Sequence, residues 1–230
     1  SIPEVKFEEM ALLFRAGNMP QAIQSHDALP VEQYNQGYGN ILYTTTLPAL
    51  KAGAYLRISD MCDYAIVTID GNKVGELYRG NGYETTLQIK NEVKAGAQLE
   101  IFIEVMGRIN YSKLIHDPKG ITDKVEVFTT DGKNDLTYNL KDWNVYLYPY
   151  DLDYNDMSYI PTVIGDQPAY YRATFNLKKT GDTYLDMRTW GNGLVWVNGH
   201  CIGRFWEVGP QQTLYLPGCW LKKGKNEIDD

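Results

Sequence analysis

The chain repeats itself at an interval of about 128 residues, and this internal duplication constrains its fold more than any other feature of the sequence. Short segments recur in the same order in both halves. The first copy carries Tyr43–Leu47, Tyr55–Ile58, Val67–Gly71, Val74–Gly75 and Lys94–Gly96, and the second carries Tyr171–Phe175, Tyr184–Met187, Val195–Gly199, Ile202–Gly203 and Lys222–Gly224. Ordered matches of this kind indicate two related structural modules.

Both copies predict short strands and tight turns. Asp70-Gly71 and Asn198-Gly199 each lie between alternating apolar residues, which is a strong signal for a hairpin with a type I′ turn. Helical periodicity is missing, so the pattern excludes a (β/α)₈ barrel and predicts an all-β chain of two β-sandwich or jelly-roll modules. The predicted strands are Tyr64–Ile69, Asn72–Leu77, Tyr83–Ile89, Leu99–Val105 and Gln211–Leu216.

The domain organisation follows from the repeat and from one proline-bearing acidic stretch. Residues 1–148 form the first all-β domain, in which residues 1–40 are a leader and Val5–Phe14 adds an edge strand. Residues 149–168 combine three prolines with four aspartates and predict a surface linker. Residues 169–230 form the second module, whose last strand starts at Asn226 and is expected to be cut short.

Composition excludes several classes of partner. The net charge is −7 and the 22 basic residues form no stripe, so nucleic acid is not expected as a partner. No apolar run reaches the length of about 20 residues that a membrane helix needs. Three cysteines without a C-x-x-C spacing indicate neither a disulfide framework nor a zinc site. We expect a periplasmic or secreted location rather than a cytoplasmic one.

No complete catalytic or metal site is visible in the sequence. His116-Asp117 has no accompanying Ser or Cys nucleophile, and His26, His116 and His200 are too dispersed for a metal set. Asp151-x-Asp153-x-Asn155 begins like a calcium loop but lacks its sixth-position Gly and twelfth-position Glu. We therefore expect no catalytic residue, no metal ligand and no cofactor in this chain.

Some aromatic residues are candidates for sugar binding, because an aromatic ring face can stack on the apolar face of a pyranose. Most of the 18 tyrosines are interpreted as strand residues. Trp196 and Trp206 are expected in the core of the second module. Trp190 precedes Gly191-Asn192-Gly193 and is the candidate for an exposed, sugar-binding ring.

Two long motifs resemble a known family. The run Met106–Tyr111 and the following Ile115–Ile121 resemble the first all-β domain of family 35 β-galactosidases. The run Trp196–Trp206, continued by Gly209–Pro217, resembles the C-terminal galactose-binding-like domain of the same enzymes. Together the motifs extend the resemblance over nearly the whole chain.

The resemblance implies a parent enzyme that hydrolyses terminal β-galactosides with retention, using two Glu about 5–5.5 Å apart on an N-terminal barrel. These 230 residues do not contain that barrel, so the chain is expected to be inactive alone and to have the barrel and a β-galactoside as partners. Carried over, the resemblance makes Tyr111 an aromatic wall of the galactose pocket, with Arg108 and Asn110 holding the loop. Alternatively, Arg108 and Asn110 only satisfy backbone carbonyls at a strand end.

Other functions stay open at this point. A self-standing, lectin-like carbohydrate-binding module shares the fold and the aromatic supply. A protein-interaction sandwich shares the fold alone, since fold does not determine function. Surfaces that normally pack on the barrel would be bare, which leaves homo-oligomerisation open.

Overall fold

The computed structural model describes residues 4–36, 39–62, 64–79, 85–105, 118–130, 135–149, 156–163, 168–188, 190, 192–206 and 213–230. These residues form β-strands with short 3₁₀ turns at Val31–Tyr34 and Gly218–Trp220, and they contain no α-helix. The all-β fold predicted from the sequence is confirmed.

The chain forms two compact units, each described here by itself. The central unit is Met19–Leu152, and the terminal unit combines Ser1–Asn18 with Asp153–Asp230. The strands in chain order are β1 (Glu9–Leu12), β2 (Ile23–Ser25), β3 (Asn40–Thr46), β4 (Ala54–Ile58), β5 (Met61–Cys62), β6 (Tyr64–Ile69), β7 (Asn72–Tyr78), β8 (Thr86–Ile89), β9 (Gln98–Glu104), β10 (Gly120–Ile121), β11 (Val125–Phe128), β12 (Thr137–Asn139), β13 (Trp143–Tyr148), β14 (Ile160–Pro161), β15 (Ala169–Leu177), β16 (Thr183–Asp186), β17 (Asn192–Val197), β18 (His200–Trp206), β19 (Thr213–Leu216) and β20 (Gly224–Asp229).

The central unit is an antiparallel sandwich with one core. A six-stranded sheet in the order β2-β13-β3-β9-β6-β7 packs against a four-stranded sheet in the order β12-β11-β4-β8. Alternation along the strands turns apolar side chains of both sheets inward, which is how a half-buried sheet covers its apolar face. The largest fully buried side chains of this core include Trp143, Tyr43, Leu56, Ile58 and Ile101.

The terminal unit repeats this plan with fewer described strands. Its six-stranded sheet has the order β14-β1-β15-β20-β17-β18, and its second sheet consists of β16 and β19. The core between them contains Phe175, Val195, Val197, Leu214 and Ile228.

The duplication predicted from the sequence recurs in the strand order. β3-β9-β6-β7 corresponds to β15-β20-β17-β18, and β4-β8 corresponds to β16-β19. Both predicted hairpin turns carry positive φ at both central residues: 49° and 77° at Asp70-Gly71, and 49° and 80° at Asn198-Gly199. Both hairpins also contain a register irregularity two to three residues before the turn. Its equivalent position is a further similarity between the two copies.

Two expectations about the chain ends differ from the structure. The strand expected within Val5–Phe14 is β1, but it pairs with β15 of the terminal unit and not with the first module. β2 is the leader segment that extends the central sheet, through β13. The last strand is also longer than expected, because β20 has six residues and pairs with both β15 and β17.

Candidate functional site

The loop predicted to approach a galactose pocket comprises residues 106–117, which follow β9 in the sequence and precede β10. Arg108, Asn110 and Tyr111 lie outside the described residues, so their roles stay predictions. The residues on either side of the loop are described. They show how the central sandwich holds the segments before and after the loop.

The loop leaves the sheet from an inner strand. β9 lies between β3 and β6, and Glu104 at its end is paired with Asn40 and with Tyr64. Val105, the next residue, is 3 % exposed. The loop therefore starts from a point that is bonded on both sides and anchored in the core.

The chain returns from the loop into a tightly bonded segment. The backbone N–H of Lys119 donates to the Glu32 carboxylate, at 3.2 Å and 3.1 Å to its two oxygens. The backbone N–H of Val31 donates to the carbonyl of Lys119 at 2.8 Å. Gly120 forms a bridge with Pro30, and β10 pairs with β5. These bonds fix where the loop re-enters the unit.

Tyr43 reaches the same segment from the core. Its hydroxyl donates to the carbonyl of Leu29 at 2.5 Å and accepts the backbone N–H of Ile121 at 3.1 Å. Burial raises the pKa of this phenol well above its ordinary value, so the hydroxyl stays protonated. Its ring meets Trp143 edge to face, with centroids 6.3 Å apart.

Sequence reasoning missed these positioning residues. Glu32 and Tyr43 act on a segment that lies 87 and 78 positions further along the chain, and no local pattern encodes such a pairing. The only sequence signal that singles out Tyr43 is the repeat, because a tyrosine, Tyr171, occupies the matching position in the second copy.

Trp190, the fourth predicted site residue, lies in the terminal unit and is half-buried. It packs edge to face against Phe7 at 4.8 Å and against Tyr171 at 5.2 Å between ring centroids. It also packs against the core of the unit. The ring is thus part of an aromatic cluster and is not freely exposed, and its sugar-binding role stays a prediction.

Charged groups lie on adjoining strands of the same sheet. Arg172 donates from Nε to Glu9 at 3.1 Å, and its guanidinium carbon lies 3.7 Å from the centre of the Tyr159 ring. Asp229 is the strand partner of Arg172, and burial together with the Glu227 carboxylate raises its pKa to about 7. This face therefore holds a carboxyl group that titrates near neutral pH.

The expectation that Trp196 lies in the core is wrong. Val195 and Val197 are fully buried, so the alternation of β17 points Trp196 to the other face. There it is half-buried and lies near Tyr170, with ring centroids 6.2 Å apart. The side chain of Trp206 lies outside the described residues.

No group of three or more His, Cys, Asp or Glu among the described residues could hold a metal ion. In the same part of the chain, no helix is long and apolar enough to cross a membrane.

The duplicated antiparallel sandwiches define an all-β protein of two related modules. Comparison with protein families identifies both copies. Residues 29–148 match "Beta-galactosidase, first all-beta domain", and residues 168–226 match "Beta-galactosidase, galactose-binding domain". The chain therefore belongs to the β-galactosidase family and carries two of its non-catalytic domains.

Curated relatives agree with this assignment. A β-galactosidase of Xanthomonas manihotis is 33% identical over 218 residues, covering 94% of this chain and 34% of the relative. The human β-galactosidase is 32% identical over 215 residues, covering 85% of this chain and 31% of the relative. The chain thus spans about a third of the length of the curated relatives it matches.

Solved structures show weaker similarity. A GH2 β-galacturonidase from Eisenbergiella tayi aligns with a TM-score of 0.38 at 13% identity, covering 100% of this chain and 36% of that one. A Pleurotus ostreatus lectin aligns with a TM-score of 0.33 at 11% identity, covering 100% of this chain and 77% of that one. TM-scores of this size carry no argument about function.

Proposed function

We propose that this chain is the non-catalytic β region of a retaining β-galactosidase, where it braces the catalytic barrel and helps to shape the galactose pocket. The observation that carries the proposal is the match of both sandwich copies to β-galactosidase domains that do not perform the chemistry. The parent reaction is the hydrolysis of terminal β-galactosides. The carboxylate pair for that reaction lies in the parent's barrel.

The anchoring of the loop at residues 106–117 supports the pocket-shaping role. Glu32, Val31 and Tyr43 form hydrogen bonds with the backbone of Lys119 and Ile121 in the returning segment, and an inner strand holds the departing one. A rigid frame of this kind suits a loop that must present a side chain to a substrate, because positioning errors of about 1 Å are costly for catalysis.

The first experiment measures hydrolysis of a nitrophenyl β-galactoside by the purified chain. We expect no turnover above background. Turnover that disappears on mutation of an Asp or Glu within the chain would end the proposal.

The second experiment tests the pocket-shaping role in the full-length protein. Tyr111→Ala is expected to lower kcat/KM by about 10- to 100-fold, as expected for loss of a substrate-positioning contact. Tyr138→Ala, at an exposed position in β12, is the matched control and should leave kcat/KM unchanged. Equal activity of both variants would contradict a role for Tyr111 in the pocket.

A lectin-like function is the second candidate, favoured by the match of residues 168–226 to a galactose-binding domain. Isothermal titration with galactose and galacto-oligosaccharides separates the two candidates. Micromolar binding that Trp190→Ala abolishes would favour the lectin function. No heat of binding across the panel would favour the brace.

A further inference from the structure

A cavity of about 510 Å³ opens in the central unit between the β6–β7 hairpin and the connection from β8 to β9. It lies at the end of the sandwich at which β9 begins. Ile69, beside the cavity, pairs with Leu99 near the start of β9, whereas Glu104, which precedes residues 106–117 in the sequence, lies at the other end of that strand. The lining of the cavity contains none of the predicted site residues.

The corresponding place in the terminal unit carries two stacked rings. Trp220 lies on His200 with centroids 4.8 Å apart and planes inclined by 8°. Aligning the two copies by their hairpin turns and by their Lys-x-Gly segments places Asn72 opposite His200 and Glu92 opposite Trp220. The central unit thus has an amide and a carboxylate where its duplicate has two stacked rings.

The floor of the cavity is aliphatic. Ile89 and Val93 are 3% and 5% exposed, and Val74 and Ala97 complete the floor. An aliphatic floor beneath polar groups is the usual construction of a small-molecule site, and it suits the C–H face of a sugar ring.

The rim carries polar groups whose charges balance. The ammonium of Lys73 pairs with Glu76 at 2.5 Å, so its charge is already matched. Among the described residues, the ammonium groups of Lys90 and Lys94 form no ion pair. The remaining rim groups are two carboxylates, two ammonium groups and two amides, from Asp70, Glu92, Lys90, Lys94, Asn72 and Asn91.

We propose that this cavity binds a neutral hexopyranose, as a free sugar or as the terminal ring of an oligosaccharide. The aliphatic floor receives the ring face, and the amide and charged groups exchange hydrogen bonds with its hydroxyls. Balanced rim charges favour a neutral ligand, because an anion gains no net attraction there. The proposal rests on the central unit alone and goes beyond the role of the chain beside a catalytic barrel.

The test is a titration of the isotope-labelled chain followed by amide chemical shifts. The probes are the methyl pyranosides of β-galactose, β-glucose and α-mannose, with sodium galacturonate as the anionic comparison. We expect at least one neutral pyranoside to cause saturable shifts at the amides of Asn72, Asn91 and Val93. The absence of saturable shifts with all three, shifts confined to the terminal unit, or tighter binding of galacturonate would each overturn the proposal.

Three variants test whether the amide shifts arise from binding in the cavity. The double variant Asn72→His/Glu92→Trp rebuilds the ring pair of the duplicate and should abolish the shifts. Asn91→Ala changes only an exposed rim amide and should weaken binding about 3- to 10-fold, the effect of one lost hydrogen bond. Lys222→Ala, at the position in the terminal unit that matches Lys94, is the control and should bind normally. Unchanged binding by Asn91→Ala would place the sugar elsewhere and overturn the proposal.

Discussion

The hydroxyl oxygen of Tyr43 lies 3.1 Å from the backbone nitrogen of Ile121 and accepts its N–H. The same hydroxyl donates to the carbonyl of Leu29. One side chain from the middle of a core strand therefore joins two connecting segments, one of which follows the loop that carries Tyr111. The core of the central unit and the frame of the predicted pocket are one bonded structure.

Replacing Tyr43 by Phe should lower the free energy of unfolding by about 1–3 kcal/mol, because the buried N–H of Ile121 loses its acceptor and the carbonyl of Leu29 loses its donor. Urea denaturation measures the loss, and hydrogen exchange should accelerate at the Ile121 amide. Tyr138→Phe removes a hydroxyl from an exposed ring and serves as the control. Equal free energies of unfolding for the two variants would show that the Tyr43 hydroxyl does not stabilise the fold.

Gly120→Ala tests the close approach at the same place. Gly120 has φ 92°, and an added Cβ would lie 2.5 Å from the Tyr43 hydroxyl oxygen and 3.4 Å from Val31 Cγ1. We expect a loss of about 2–4 kcal/mol, from backbone strain and overpacking together.

Gly96→Ala is the matched control for that clash. Gly96 has φ 86°, but an added Cβ there meets nothing within 4 Å, so the loss should be limited to about 1–2 kcal/mol of backbone strain. Thermal unfolding of both variants separates the two contributions. Similar losses would mean that backbone strain alone, without the clash, explains the effect at Gly120.

The sequence predicted those parts of the fold that local chemistry determines. Asp70-Gly71 and Asn198-Gly199 adopt the predicted turns because few residue pairs accept positive φ twice in succession. β6 has the predicted limits, since alternation up to such a turn leaves little freedom of register. The sequence did not predict the pairing partner of β1, because β1 pairs with β15, about 160 positions further along the chain, and no local pattern specifies so distant a partner.

The candidate site was less predictable than the fold. The position of Trp196 depends on which face of β17 turns inward, and the fully buried Val195 and Val197 decide that question. The hydrogen bonds from Glu32 and Tyr43 to the returning segment join residues 87 and 78 positions apart, and no local sequence pattern predicts such contacts. The cavity lies between Ile69–Val74 and Ile89–Ala97, and no local pattern in either segment predicts that a space remains between them.

Asn226 is expected to be a stabilising residue of the terminal unit. It is fully buried, and its Oδ1 accepts from the Asn198 side chain at 2.9 Å and from the Lys222 backbone at 2.7 Å. Its Nδ2 donates to the carbonyls of Lys222 at 2.8 Å and Gly224 at 2.9 Å. Every hydrogen-bonding direction of this amide is therefore used.

Asn226→Ala should lower the stability of the terminal unit by about 2–4 kcal/mol, because it removes four hydrogen bonds of a fully buried amide. Hydrogen exchange should accelerate along β20 and stay unchanged along β9 of the central unit. Asn176→Ala, at an exposed position of β15, should change neither. Faster exchange in β9 as well would show that the two units unfold together.

Asp229 should make the stability of the terminal unit depend on pH. Its pKa is raised to about 7 by burial and by Glu227, while Arg172 opposes the shift. Between its ordinary pKa of 3.8 and about 7, the unfolded chain releases the proton and the folded chain keeps it. The stabilising contribution is thus complete at acid pH below 3.8 and is lost as the pH rises through about 7.

Asp229→Asn removes this titration, so the melting temperature at pH 8 should rise by roughly 4–8 °C, which corresponds to about 1 kcal/mol for a unit of this size. The difference between melting temperatures at pH 5 and pH 8 should shrink accordingly. Asp186→Asn is the control, because the pKa of that exposed carboxyl is lowered by Arg188 and lies outside this pH window. A variant Asp229→Asn that keeps the full difference between pH 5 and pH 8 would show that another group titrates there.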